Sequence, residues 1–191
     1  MFKRCSCVLT ALAALAAATV RAGESFATEV PPLVLARLTA TNEVRGAFVQ
    51  TKRLPTGEVF VSRGEYRIRP GRDFEWMVLD PFVALFSADL ETYVYSNEDE
   101  RVEKPLKDLP HVARIMARLS GGGEPDFGEF FRAFDALYKE EPEGVFHVLA
   151  KPKEPRLARV LSRVEADGTP TNWVLRATFP DRASFEIEFR E

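Results

Sequence analysis

The side chains that could perform chemistry are few and scattered in this sequence. His111 and His147 are far apart, and neither has a second ligand at a metal-binding spacing such as HExxH. No GxSxG nucleophile elbow and no glycine-rich phosphate loop occurs, and we interpret Gly121 to Gly123 as a flexible connection. Acidic residues alternate with apolar ones, as on a solvated face, so no general acid–base pair stands out. The sequence predicts a protein that is not an enzyme and holds no metal or cofactor.

The first residues are typical of a secretion signal. Lys3 and Arg4 precede an apolar run from Cys7 to Val20, and small residues follow where signal peptidase cleaves. The run is shorter than the roughly 20 residues of a membrane-spanning helix. We expect a signal peptide over residues 1–22 with cleavage after Ala22, Ala27 being the second choice, and export of a single domain, residues 23–191.

Cleavage would change the chemistry of the chain. Cys5 and Cys7 would leave with the leader, so the mature protein would have no thiol for a disulfide, a nucleophile or a lipid anchor. Three basic residues would leave as well, which gives 23 basic and 29 acidic residues and a net charge of −6. This acidic balance argues against nucleic acid and against anionic membranes as partners.

Strand and helix patterns follow one another in a clear order. An apolar stripe predicts a helix from Glu29 to about Glu43, and the same spacing predicts two more helices, at 112–119 and from Asp126 to Tyr138. The strand patterns cover residues 47–53, 59–69, 74–80, 83–87, 93–95, 145–150, 157–166, 172–179 and 184–189. This order predicts a curled sheet of nine or so strands whose apolar face is covered by three short helices.

Aromatic residues are abundant, with 15 Phe, 4 Tyr and 2 Trp. Many stand on strand faces or on the predicted helix that begins at Asp126. Such side chains could fill a packed core or form the wall of a ligand cavity. Composition leaves both interpretations open.

An ordered set of short motifs runs from Val44 to Tyr95. Its pieces are Phe48-Val49-Gln50, Gly64-Glu65-Tyr66-Arg67-Ile68-Arg69-Pro70, Phe74-Glu75-Trp76 with Pro81, Leu85-Phe86-Ser87 and Tyr93-Val94-Tyr95. The set resembles the LolA family of periplasmic carriers of outer-membrane lipoproteins. One departure is Ser87-Ala88-Asp89, where the family usually has a Ser-Asp-Gly turn.

The resemblance implies both a fold and a function. The fold would be α+β and mainly β, an incomplete, half-open antiparallel β-barrel of about nine to eleven strands capped by three short helices. The protein would be a monomeric periplasmic chaperone that carries lipid-modified proteins, with their acyl chains in a hydrophobic cavity. Its partners would be an inner-membrane lipoprotein-releasing transporter and an outer-membrane acceptor. Two alternatives are a carrier of a free lipid or other amphiphile, and a lipoprotein-sensing regulator of the envelope stress response.

The resemblance also implies roles for particular residues. Arg69 matches the family arginine that closes the lid, and its five N–H donors could hold lid carbonyls; the alternative is an ordinary outward-facing strand residue. The cavity and lid candidates are Phe48, Tyr66, Phe74, Trp76, Tyr93, Ile115, Met116, Phe127, Phe130, Phe131 and Phe134. Core packing is the alternative for these apolar residues.

Overall fold

The computed structural model describes residues 25–26, 43–69, 72–109, 132–141, 145–169 and 171–191. These residues form one antiparallel sheet of twelve strands. The strands are β1 Ser25–Phe26, β2 Val44–Arg53, β3 Val59–Arg69, β4 Asp73–Asp80, β5 Ala84–Ala88, β6 Thr92–Asn97, β7 Arg101–Pro105, β8 Phe134–Glu140, β9 Phe146–Pro152, β10 Arg163–Gly168, β11 Asn172–Thr178 and β12 Ser184–Arg190. A 3-10 helix, Leu106–Asp108, and a four-residue helix α1, Pro155–Ala158, lie between strands.

The sheet consists of two meanders joined edge to edge. Its strand order is β1-β8-β9-β10-β11-β12-β2-β3-β4-β5-β6-β7. The last strand joins the two meanders by pairing with β2, where Phe189 lies opposite Phe48. Among the described residues β1 and β7 each pair on one side only, so the sheet is open. The expected half-open, mainly antiparallel β-fold is confirmed.

The strands from β2 to β6 follow the sequence prediction closely. The turn between β2 and β3 forms because Gly57 adopts a φ of +93° and donates its N–H to the Leu54 carbonyl. In β4, Phe74, Trp76 and Val78 are all buried on one face, as their alternation predicts.

Two predicted elements after residue 100 were wrong. The predicted helix from Asp126 to Tyr138 is helical only at Arg132 and Ala133 among its described residues, and strand β8 begins at Phe134. Phe134, Leu137 and Tyr138 fit a helical stripe, but pairing with β9 imposes a period of two, and Phe134 and Ala136 are buried together. The strand predicted over 157–166 begins only at Arg163, because Pro155 starts α1.

Several predicted elements lie outside the described residues. They are the signal peptide, the helix predicted at 29–43 except for Glu43, and the helix predicted at 112–119. Strand β7 was not predicted at all.

The two faces of the sheet differ sharply in composition. One face, which we call the apolar face, is formed by alternate residues of the strands β2 to β6 and β8 to β12, such as Phe48, Trp76, Phe146, Leu175 and Ile187. The intervening residues form the opposite face, called the charged face. The same buried cluster includes four leucines from the two short helical segments and the residues next to them, namely Leu106, Leu109, Leu157 and Leu161.

Candidate functional site

Five aromatic rings from five neighbouring strands form the centre of the apolar face. Phe48 stacks on Trp76 with ring centroids 3.7 Å apart, and Trp173 stacks on Phe189 at 3.8 Å. Phe189 also meets Tyr66 and Trp76 edge-on at 5.3 and 5.8 Å. Each such pair contributes about 0.5–1.5 kcal/mol beyond its area of burial. The rings therefore form a connected aromatic cluster across β11, β12, β2, β3 and β4.

Two glycines create the space in which these rings meet. Gly64 lies in β3 between the strands of Phe48 and Trp76, and a Cβ there would stand 2.7 Å from Phe48 Cζ and 1.9 Å from the Met77 carbonyl oxygen. Gly46 lies opposite Tyr66, and a Cβ there would stand 2.7 Å from the Tyr66 hydroxyl. The spacings Gly46-x-Phe48 and Gly64-x-Tyr66 thus let each ring lean across the neighbouring strand.

A second group of aromatic residues extends the face toward β6. Phe74, Phe86 and Tyr93 are buried, and the ring centroids of Phe86 and Tyr95 are 4.8 Å apart. The Tyr95 hydroxyl accepts a hydrogen bond of 2.8 Å from Asn97 Nδ2. This polar contact lies near the end of β6, so the middle of the face stays apolar.

The structure brings together most of the predicted cavity residues that it describes. Phe48, Tyr66, Phe74, Trp76 and Tyr93 are all buried on the apolar face. Phe134 is buried there too, although it lies in strand β8 and not on a lid helix. Ile115, Met116, Phe127, Phe130 and Phe131 lie outside the described residues.

The sequence prediction of the site missed its second half. Trp173, Phe185 and Phe189 are as buried as the predicted residues, and Trp173 and Phe189 belong to the aromatic cluster. Their alternation with polar residues in β11 and β12 was visible in the sequence. What it lacked was any local signal that β12 pairs with β2.

Arg69 lies on the charged face, at the end of β3. Its Nε donates a hydrogen bond of 2.6 Å to Asp73 Oδ1, and its Nη2 lies 3.7 Å from Glu75 Oε1. The hydrogen bond to Asp73, aided by the charges of Asp73 and Glu75, raises the pKa of Arg69 against the opposing effect of burial. The lid segments that the resemblance assigns to Arg69 lie outside the described residues, so its role in closing a lid stays a prediction.

A second group of charges crosses the other half of the charged face. Arg176 binds Asp167 through Nη1 at 2.8 Å and Glu186 through Nε at 2.7 Å. His147 Nδ1 lies 2.8 Å from the same Asp167 carboxylate. In the described parts of the chain, no group of three metal-ligating side chains is arranged to hold an ion. These residues tie β9, β10, β11 and β12 together on the side that faces away from the aromatic cluster.

No family model matches the sequence, and no curated protein matches it. Among solved structures, the chain is similar to a LolA superfamily protein from Nitrosomonas europaea, with 6% identity over 79% of this chain and 85% of that chain and a TM-score of 0.42. It is also similar to a DUF1329 family protein from Desulfovibrio piger, with 10% identity over 82% of this chain and 87% of that chain and a TM-score of 0.39.

The first of these two proteins bears the name of the family that the sequence motifs resemble. No helix within the described ranges is long and apolar enough to cross a bilayer.

Proposed function

We propose that this protein is a periplasmic carrier that shelters the acyl chains of a lipid-modified protein against the apolar face of its open sheet. The observation that carries the proposal is the composition of that face, which combines a connected aromatic cluster with the open edge of a single sheet. The motifs shared with the LolA family support the same function.

The architecture suits a protein that binds a ligand on its apolar face better than a protein that covers this face with a second layer of its own. A soluble sheet must cover its apolar face with a second layer. Among the described residues no second sheet packs on it, and the two helical segments have only three and four residues. An acyl chain, together with the predicted lid, would complete the second layer.

The energetics explain why such a carrier is needed. Each CH₂ of an acyl chain exposed to water costs about 0.8 kcal/mol, so a lipidated protein does not cross an aqueous compartment unaided. In this proposal the cargo comes from an inner-membrane transporter and passes to an outer-membrane acceptor. The carrier itself makes no covalent bond, and it must bind loosely enough to release.

The two tryptophans allow a direct test of where an acyl chain binds. The chain has two Trp, and both Trp76 and Trp173 lie on the apolar face. A fatty acid brominated along its chain quenches indole fluorescence on contact. We expect such a probe to quench the purified protein saturably, whereas the unbrominated fatty acid should compete without quenching.

Single variants locate the probe on the face. Trp76→Phe and Trp173→Phe each leave one reporter and keep an aromatic ring in place. Quenching in both variants would place the acyl chain across the centre of the cluster. Binding without quenching in either would show that the acyl chain lies elsewhere and would overturn the proposal, as would failure to bind any acyl probe.

The cargo is identified by native mass spectrometry of the protein purified from a periplasmic extract. A co-purifying protein bound through its acyl chains would establish a lipoprotein carrier. A free lipid alone would replace this proposal with the carrier of a free amphiphile.

A further inference from the structure

Exposed apolar side chains concentrate at one end of the sheet. We call this the hairpin end, formed by the turns at 54–58, 81–83, 97–100 and 179–183 and by the connection 153–162. Phe82 is 60% exposed, Val160 57% and Phe60 49%. Val59, Val61, Leu79 and Val83, also at this end, are exposed as well.

Strand lengths explain why these residues project. The last pair between β3 and β4 joins Arg63 to Asp80, so residues 59–62 of β3 extend beyond the end of β4. Residues 81–83 form the turn into β5 at the same level. Phe60 and Phe82 therefore both lie beyond the last pair of β3 and β4, exposed and away from the aromatic cluster.

Basic side chains without ion-pair partners surround one side of this apolar group. Six basic residues at the hairpin end form no ion pair within the described ranges, namely Lys52, Arg53, Lys151, Arg156, Arg159 and Arg182. Arg159 directly precedes the exposed Val160. On the same side the unpaired carboxylates are fewer, namely Glu58, Glu154 and Asp181; Glu98, Asp99 and Glu100 lie beyond the apolar group, in the turn between β6 and β7.

The described residues of the opposite end lack this combination. Leu90 is the one large apolar side chain exposed there, at 54%. The unpaired cations of this opposite end, within the described ranges, are Arg72 and Lys104. Arg72 lies in the turn before β4 and Lys104 in β7, so they do not form a cluster in one turn. The net negative charge of the whole chain thus conceals a local basic and apolar surface.

We propose that the hairpin end docks on a bilayer surface that contains anionic lipids. Protruding aromatic and aliphatic residues enter the interface between headgroups and acyl chains, and neighbouring Lys and Arg residues bind the anionic headgroups. The charge distribution selects this partner, because an uncharged apolar partner would gain nothing from the unpaired cations. This inference does not rest on the proposed function, since docking requires no uptake of an acyl chain.

Flotation of the full protein with lipid vesicles tests the proposal. We expect binding to vesicles of phosphatidylcholine with phosphatidylglycerol, weaker binding to phosphatidylcholine alone, and loss of the difference at high salt. Phe82→Ser should weaken binding to both vesicle types by about tenfold. Arg159→Gln should weaken only the binding to phosphatidylglycerol vesicles, by about fivefold.

Leu90→Ser and Lys104→Gln are the matched controls, because they remove the same kinds of side chain from the other end. Since all four side chains are exposed, urea midpoints should show that every variant folds. Failure of the unchanged protein to bind phosphatidylglycerol vesicles, or an equal loss in the control variants, would overturn the proposal. A dimer in solution that Phe82→Ser converts to a monomer would also overturn it, because the patch would then join two copies of this chain.

The outcome is separable from that of the carrier proposal. A protein that extracts lipid stays in solution with bound phospholipid, and its tryptophans are quenched by a brominated acyl chain. A protein that only docks floats with the vesicles, and its hairpin-end variants leave the quenching of Trp76 and Trp173 unchanged.

Discussion

The two faces of the sheet are built from the same strands but are held together by different contacts, aromatic packing on one face and ion pairs on the other. On the apolar face, rings from five strands contact one another, and the pairing of β12 with β2 brings Phe189 and Trp173 next to Phe48 and Trp76. On the charged face, contacts such as Arg67 with Glu75 join directly opposite residues of neighbouring strands. Partly exposed ion pairs of this kind contribute little, whereas buried rings contribute several kcal/mol each. The comparison shows that the stability of the fold depends on the same apolar residues to which the proposed function assigns ligand binding.

The largest expected effect on stability comes from a comparison of two single substitutions, one on each face of strand β4. Trp76→Ala should lower the free energy of unfolding by about 3–5 kcal/mol, because it removes three ring contacts and leaves a cavity. Met77→Ala, on the charged face, should cost less than about 1 kcal/mol. Urea unfolding followed by circular dichroism measures both. Similar losses in the two variants would contradict the division between the faces.

The next effect tests the space between the rings. Gly64→Ala should destabilise the protein by about 1–3 kcal/mol, because its Cβ would meet the Met77 carbonyl oxygen and the Phe48 ring. Gly57→Ala is the control, since nothing lies within 4 Å of a Cβ there and only its φ of +93° opposes alanine. That strain should cost about 1 kcal/mol. Urea midpoints would contradict the role of Gly64 if its variant were the more stable of the two.

The sequence predicted one half of the apolar face much better than the other. From β2 to β6, aromatic residues alternate with polar ones and clear turns separate the strands, so the period is unambiguous. Around Phe134 the apolar residues fit both a helical and a strand period, and only pairing with β9 decides between them. The contact between β2 and β12 joins residues 48 and 189, and such distant pairing leaves no local pattern. This is why Trp173 and Phe189 were absent from the predicted site.

Arg69 tests whether a residue of the charged face controls the apolar face. We expect Arg69→Leu to bind the brominated probe but to release it several-fold more slowly to acceptor vesicles, because the family resemblance assigns lid closure to this residue. Arg67→Leu is the matched control. Arg67 lies two residues before Arg69 in β3 and also forms an ion pair with Glu75. We expect this variant to release the probe at the rate of the unchanged protein. Equal release rates in the two variants would show that Arg69 only forms ion pairs with Asp73 and Glu75 and does not control release.

The smallest effect concerns a carboxylate whose contacts differ from those of the charged face. Asp89, in the turn between β5 and β6, accepts hydrogen bonds from the N–H groups of Glu91 and Thr92 and from the Thr92 hydroxyl. Burial raises the pKa of Asp89, but these hydrogen bonds outweigh it and lower the pKa below its ordinary value of 3.8. The folded state therefore favours the ionised carboxylate, so its contribution is full above about pH 4 and is lost as the pH falls through the lowered pKa.

Asp89→Ala should accordingly cost less than about 1 kcal/mol at neutral pH, a small value because the side chain is largely exposed. The difference in unfolding free energy between this variant and the unchanged protein should shrink as the pH is lowered below 4, which urea titrations at a series of pH values measure. Thr92→Val removes only the hydroxyl donor, so it should reproduce part of the loss at neutral pH. A difference that stayed constant down to pH 2 would show that Asp89 acts through the shape of the turn and not through its charge. The hydrogen bonds from Glu91 and Thr92 would then stabilise the turn equally well with the protonated side chain.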